Sequence, residues 1–120
     1  MNTPNDAKKR DDTLTIREMY GYQQRLQARY AEQWGEPIAP QSAVRKLCWA
    51  YGEMAEAGDI IKKMGNDAIM HDPETRRHFM EEMGDVMMYM YDVLLCYGMS
   101  PEEFSDIYRA KCERNAHRWD

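Results

Sequence analysis

The stretch FMEEMGDVMMYM, residues 79–90, decides the fold class, because its apolar residues recur at the spacing of an α-helix. Glu82 and Asp85 lie one helical turn apart beside the apolar face, although burying an unpaired carboxylate is costly. The stretch therefore predicts a long amphipathic helix that carries a pair of acids next to apolar side chains. Followed along the chain, the apolar face of this helix comprises Phe79, Met83, Val86, Met87, Met90, Leu94 and Tyr97.

Start signals set the bounds of this helix and of the one that follows it. Asp72, followed by proline, suits the N-cap of helix three, which is predicted over roughly 73–97. Ser100 and Glu103 have the spacing of a capping box, which predicts that helix four begins there and spans roughly 101–118. The sequence therefore predicts the residue at which each of these two helices begins.

The preceding half of the chain predicts two more helices, over roughly 13–34 and 41–64, with a glycine stop after the second. Residues 66–73 are predicted to form a loop. No stretch alternates with the two-residue period of a strand. The predicted fold class is therefore all-α, a four-helix antiparallel bundle. The apolar face of helix two comprises Leu47, Tyr51, Met54, Gly58 and Ile61.

Length and composition indicate one globular domain. The chain has 120 residues, of which 43% are hydrophobic and 31% are charged. Residues 13–120 are predicted to form the domain, and the polar residues 1–12 a flexible N-terminal tail. The net charge of −5 disfavours a broad nucleic-acid-binding surface.

Other sequence features bear on the cellular location. No run approaches the ~18–20 apolar residues that a membrane span needs. The N-terminus shows no apolar signal region. Cys48, Cys96 and Cys112 lack the spacing of a zinc site, so we expect free thiols. A cytoplasmic protein without a membrane partner is predicted.

A second pair of acids lies in GEMAEAGD, residues 52–59, where Glu53 and Glu56 are again one turn apart. Because facing helices lie about 8–10 Å apart, pairs on consecutive antiparallel helices can converge on one point. Oxygen ligands alone favour Mg²⁺, with Mn²⁺ possible, over iron or zinc. The alternative is that all of these acids are solvated charges on amphipathic helices.

Three stretches taken together show a family resemblance. GEMAEA (52–57), EEMGDVMMYMYDVL (81–94) and KCERNAHRW (111–119) resemble the all-α nucleoside triphosphate pyrophosphohydrolases of the MazG type. That superfamily includes dCTP pyrophosphatases and dimeric dUTP pyrophosphatases. The similarity covers roughly 41–119. Ala50 stands where many relatives carry a further glutamate, and Asp59 is left without a role.

The resemblance implies cleavage of a (d)NTP to (d)NMP and pyrophosphate, in nucleotide pool sanitation or dNTP metabolism. It also implies a homodimer or homotetramer. Glu53 or Glu56 is our candidate for orienting the attacking water. By position in the family motifs, the metal ligands would be Glu53, Glu56, Glu82 and Asp85, and the phosphate-binding residues Lys111, Asn115 and Arg118.

Aromatic and amide side chains are candidates for holding the base. Trp34, Trp49 and Tyr30 could stack on it, although core packing explains each of them equally simply. Glutamines on helix one could contact the edge of the base, or could face solvent: Gln23, Gln24, Gln27 and Gln33.

The width of the apolar arc on helix three bears on assembly. Met88 and Tyr91 fall outside its main stripe, which predicts a second buried face and an isologous dimer. The alternative function is a non-catalytic interaction module, a methionine-rich bundle whose acids keep it in solution. That module would release no pyrophosphate and would not respond to Mg²⁺.

Overall fold

A computed structural model describes residues 10–120, so residues 1–9 of the predicted tail lie outside the described residues. Residues 10–120 contain five α-helices and a short 3₁₀ turn but no strand, which confirms the all-α class. The helices are α1 (Ile16–Trp34), α2 (Ala43–Met64), α3 (Asn66–His71), α4 (Pro73–Cys96) and α5 (Pro101–Ala116), and the 3₁₀ turn is Pro40–Ser42.

The predicted start signals are confirmed by the hydrogen bonds that they make. The Asp72 carboxylate accepts from the backbone N–H of Thr75 at 3.0 Å and so caps α4. The Ser100 hydroxyl accepts from the backbone N–H of Glu103 at 3.1 Å, and the Glu103 carboxylate accepts in return from the Ser100 N–H. Both caps satisfy amide groups that have no partner within their own helix.

The prediction of a loop over residues 66–73 was wrong, because Asn66–His71 forms α3. Gly65 ends α2 with a φ of 86°, a backbone conformation that glycine adopts readily. The chain changes direction at this one residue, and α3 begins at the next. No glycine or proline interrupts the next six residues, and α3 packs against both α2 and α4. Tertiary contact therefore stabilises a helix too short to be predicted from its own periodicity.

The helices α2 and α4 form the central pair of the fold, and they run antiparallel. Glu53 lies opposite Asp85, whereas Lys46, earlier on α2, interacts with Asp92, later on α4. The helix α1 packs on α4, and α5 packs on α1. The buried apolar core is small and comprises Tyr20, Ala43, Ala50, Ala57, Ile60, Val86, Tyr91 and Cys96.

The apolar stripes predicted for α2 and α4 are largely uncovered within one chain. Leu47 and Met54 on α2 are 41% and 46% exposed, and Met87 and Met90 on α4 are 44% and 49% exposed. The Cα radius of gyration is 17.0 Å, against roughly 14 Å for a compact chain of this length. One chain therefore leaves much of these two apolar stripes in contact with water.

Of the two residues that predicted a second outer face on α4, Tyr91 is covered within the chain and Met88 is exposed. Tyr91 is buried, with its ring centroid 5.1 Å from that of Tyr20 on α1. Met88 lines a cavity between α1, α2 and α4. Tyr91 is therefore covered by α1, whereas Met88 stays 47% exposed at the edge of that cavity.

The contribution of the Asp72 cap to the stability of the protein can be tested by substitution. The substitution Asp72→Ala removes the acceptor for the Thr75 N–H and should lower the free energy of unfolding by about 1 kcal/mol. Urea denaturation monitored by circular dichroism measures the change. The control Asp59→Ala alters an exposed acid within α2 and should stay within about 0.5 kcal/mol of the unmodified protein. Equal stability of D72A and the unmodified protein would contradict the capping role.

Candidate functional site

Three carboxylates from the central helix pair meet at one point. One oxygen each from Glu53, Glu82 and Asp85 lies within 4.8 Å of the others, and all three residues are half-buried. Glu82 and Asp85 are one turn apart on α4, and the antiparallel packing brings Glu53 of α2 against them. The structure thus brings together three of the four predicted metal ligands, and we call them the carboxylate trio.

Glu56, the fourth predicted ligand, lies outside the carboxylate trio. Its side chain is exposed on α2, one turn beyond Glu53. It nevertheless contributes to the negative potential around Glu53. Asp59, a further turn along, is also exposed. The acids of α2 therefore become more exposed along the helix, from Glu53 in the trio to Glu56 and Asp59 in solvent.

Burial and the mutual repulsion of the acids raise the pKa values of two of them. Desolvation, reinforced by the adjacent Glu82 and Glu56 and by Asp85, raises the pKa of Glu53 to about 7. Desolvation also raises the pKa of Asp85, together with repulsion from Glu82 and Glu81. Both shifts favour the neutral acid, and a bound cation would oppose them.

Glu82 provides a test of whether the trio fits a metal ion. Its Oε1 lies 3.3 Å from His78 Nε2, but its Oε2 is buried without any hydrogen-bond partner among residues 10–120. A buried oxygen without a partner is costly, and a cation bound by the trio would satisfy it. The donor set consists of carboxylate oxygens, which fits Mg²⁺ or Mn²⁺.

A cavity of about 590 Å³ adjoins the carboxylate trio, and Glu53 and Asp85 belong to its lining. Its volume falls within the range of small-molecule sites. Trp49 and Tyr89 pack together in its wall with ring centroids 5.7 Å apart. The other lining residues are Gln23, Leu26, Gln27, Gln33, Trp34, Glu36, Lys46, Met88 and Asp92.

Two of the three predicted stacking residues line this cavity. Trp34 and Trp49 contribute to its wall and are 45% and 40% exposed, so neither is wholly used in core packing. Tyr30 instead stacks on Trp34, with centroids 4.9 Å apart and ring planes 20° apart, and is absent from the lining. It therefore supports the wall from outside.

The predicted phosphate-binding residues lie apart from this cavity in a single chain. Lys111, Asn115 and Arg118 are all exposed, and none of them lines the cavity. The helix α5 ends at Ala116, so Arg118 lies beyond it, with its guanidinium 5.3 Å from the ring centroid of Trp119. Their role in phosphate binding stays a prediction.

The polar floor of the cavity was largely missed by sequence reasoning. Asp92 is only 1% exposed, and its two oxygens accept from the Nε2 atoms of Gln23 at 2.8 Å and Gln27 at 3.0 Å. Burial raises the pKa of Asp92, although Gln23, Lys46 and Gln27 oppose that shift. Lys46, also 1% exposed, was not among the candidates. Its position in the sequence could have indicated it, because Lys46 lies two turns before Glu53 on the same side of α2.

The raised pKa of Glu53 predicts how stability depends on pH when divalent cations are chelated. Between its unfolded value of 4.5 and its folded value of about 7, Glu53 binds a proton in the native state but not in the unfolded state. The free energy of unfolding should therefore fall as the pH rises through this window. Urea titrations in EDTA at several pH values measure this fall, and Glu53→Gln should flatten it. An equally steep fall in E53Q would contradict the assignment.

None of the helices within residues 10–120 combines the length and apolarity needed to cross a bilayer. Comparisons of the chain with protein-family models, with curated proteins and with solved structures find no significant match to any of them.

Proposed function

We propose that this protein is a Mg²⁺-dependent nucleoside triphosphate pyrophosphohydrolase that converts a (d)NTP to (d)NMP and pyrophosphate. The observation that carries the proposal is the carboxylate trio beside a 590 Å³ cavity with aromatic walls. A nucleotide needs a cation at its phosphates and a flat, partly apolar space for its base, and these lie side by side here. The resemblance to the MazG type rests on the same acids.

Glu53, Glu82 and Asp85 would hold the cation. A divalent ion bound there would neutralise phosphate charge and polarise the phosphoanhydride. The lone Oε2 of Glu82 and the raised pKa of Glu53 both support this role, because each is relieved by a positive charge.

Glu56 is the best placed of the acids to orient the attacking water. It is exposed and lies outside the trio, so its carboxylate stays available when the other three bind a cation. A general base needs such an unoccupied carboxylate within reach of the water. Glu53 is the second candidate from the sequence, but its place in the trio commits its carboxylate to the cation.

Lys111, Asn115 and Arg118 stay the proposed phosphate ligands. All three are exposed in the C-terminal segment and lie outside the lining of the cavity beside the trio. Their role rests on the resemblance to the MazG type.

We also propose that the protein assembles as a homodimer or a higher homo-oligomer. A groove of about 580 Å³ between α1, α2, α4 and α5 is lined almost wholly by apolar side chains, among them Leu47, Met87 and Met90. These residues stay accessible to water in one chain, and burying them would stabilise an assembly. A second copy offers the same apolar surface, as an isologous interface requires.

Pyrophosphate release tests the enzymatic proposal. The unmodified protein should release pyrophosphate from at least one canonical or modified (d)NTP in Mg²⁺ or Mn²⁺, and EDTA should abolish the release. Glu56→Gln should lower kcat at least about 100-fold, because it removes the proposed base. Glu53→Gln should abolish both turnover and cation binding, the latter measured by calorimetry.

Asp59→Asn is the matched control for these variants, because it neutralises an exposed acid one turn from Glu56 on the same helix. Its kcat should equal that of the unmodified protein. An unchanged kcat in both E53Q and E56Q would refute the assigned roles. Absence of turnover with every nucleotide in either metal would favour the interaction module instead.

Analytical ultracentrifugation tests the assembly. The unmodified protein should sediment as a dimer or larger species at micromolar concentration, and Met90→Lys should shift it toward the 14.2 kDa monomer. The matched control is Met80→Lys, since Met80 is 57% exposed and lies outside the groove. A monomeric unmodified protein would count against the proposal.

A further inference from the structure

We propose that His78 is a positioning residue for the cation site, because it holds one carboxylate oxygen of Glu82 and leaves the other for the ion. His78 acts through Glu82 and touches neither the cation nor the substrate. The inference deepens the proposed function and rests on it, since it concerns the cation site that the carboxylate trio would form.

His78 provides the basic contact of the trio. Within residues 10–120, no other basic side chain lies within 4.0 Å of a carboxylate oxygen of the trio. The Nε2 atom of His78 is 3.3 Å from Oε1 of Glu82, which follows it by one turn of α4. A protonated imidazole and a neutral one with its proton on Nε2 can both donate to that oxygen. The distance is slightly longer than an ordinary hydrogen bond, and a small rotation of the imidazole would complete one.

The two oxygens of Glu82 have different surroundings. Oε1 lies beside His78, whereas Oε2 is buried and has no hydrogen-bond partner among residues 10–120. A carboxylate that is held at one oxygen keeps the direction of the other, which is how neighbouring groups orient metal ligands in proteins. The contact with His78 therefore leaves the buried Oε2 as the oxygen that a cation would satisfy.

His78 itself stays outside the group of candidate ligand atoms. One oxygen each from Glu53, Glu82 and Asp85 lies within 4.8 Å of the others, but neither nitrogen of His78 joins them. The His78 side chain is 58% exposed and does not line the cavity beside the trio. A residue that contacts one ligand and lies apart from the others is placed to orient that ligand rather than to bind the ion.

The alternative is an ordinary surface pair, and the chain contains one for comparison. The Nε2 atom of His117 also lies 3.3 Å from a glutamate oxygen one helical turn away, Oε1 of Glu113. The Glu113 side chain is 78% exposed, whereas that of Glu82 is 17% exposed. Exposed pairs of this kind contribute little to stability. The two histidines therefore make similar contacts, but only the partner of His78 belongs to the trio.

Binding of Mn²⁺ in the absence of nucleotide tests the inference, because it requires no hydrolysis. Electron paramagnetic resonance measures the free ion during a titration. His78→Leu should weaken Mn²⁺ binding about tenfold or more, as expected when a group that orients a ligand is lost. His78→Gln keeps an N–H donor and should restore an affinity close to that of the unmodified protein. The matched control His117→Leu removes the comparable exposed pair and should leave Mn²⁺ binding unchanged.

Pulsed electron paramagnetic resonance on the unmodified protein gives a second readout that does not depend on any variant. Bound Mn²⁺ should show no coupling to a directly coordinated nitrogen, since His78 acts through Glu82. Thermal melts in EDTA should give the same Tm for H78L and H78Q, because His78 is largely exposed. A loss of Mn²⁺ affinity in H78L is then a property of the site and not of the fold.

Four results would overturn the inference: a coordinated nitrogen, unchanged Mn²⁺ affinity in H78L, equal losses in H78L and H78Q, or no Mn²⁺ binding by the unmodified protein. The proposed function is judged separately by pyrophosphate release. Release by a protein whose Mn²⁺ affinity is the same in H78L would leave the hydrolase standing and remove the role of His78. Weaker Mn²⁺ binding in H78L, without release from any nucleotide, would support that role and count against the hydrolase.

Discussion

The free-energy cost of desolvating charged side chains between two packed helices, α2 and α4, is the constraint that governs this structure. The face of α2 that meets α4 carries Lys46 and Glu53, together with the buried alanines at positions 50 and 57. Small side chains on this face allow close approach of the helices, and the charges then lie in partly desolvated surroundings. Repulsion within the trio is one consequence, which a bound cation would relieve, and the interaction of Lys46 with Asp92 is another.

This arrangement reverses the usual distribution of side chains on amphipathic helices. The most apolar stripes of α2 and α4 are largely exposed, while the faces turned toward each other hold acids, a lysine and small residues. An interior dominated by apolar contacts is the ordinary outcome for a single domain. This distribution would be explained if the polar side of the helix pair bound a ligand and the apolar side packed against a second copy of the chain.

Local signals explain what could be predicted from the sequence. The helix caps at Asp72 and Ser100 depend on short-range hydrogen bonds, and the i, i+3 spacing of Glu82 and Asp85 fixes their proximity on any helix. Two other features depend on tertiary structure. The short helix α3 is stabilised by its neighbours, and a helical wheel cannot show which apolar face the chain itself covers. Lys46 was missed because lysines on amphipathic helices are ordinarily exposed.

The opposed faces of α2 also bear on which sequence changes the protein can tolerate. A surface helix normally has one face free to vary, but α2 has an inner face with Lys46 and Glu53 and an outer face with Leu47 and Met54. Substitutions on the inner face would disturb the carboxylate trio, and those on the outer face would change the exposed apolar stripe, so few positions of this helix are free of both.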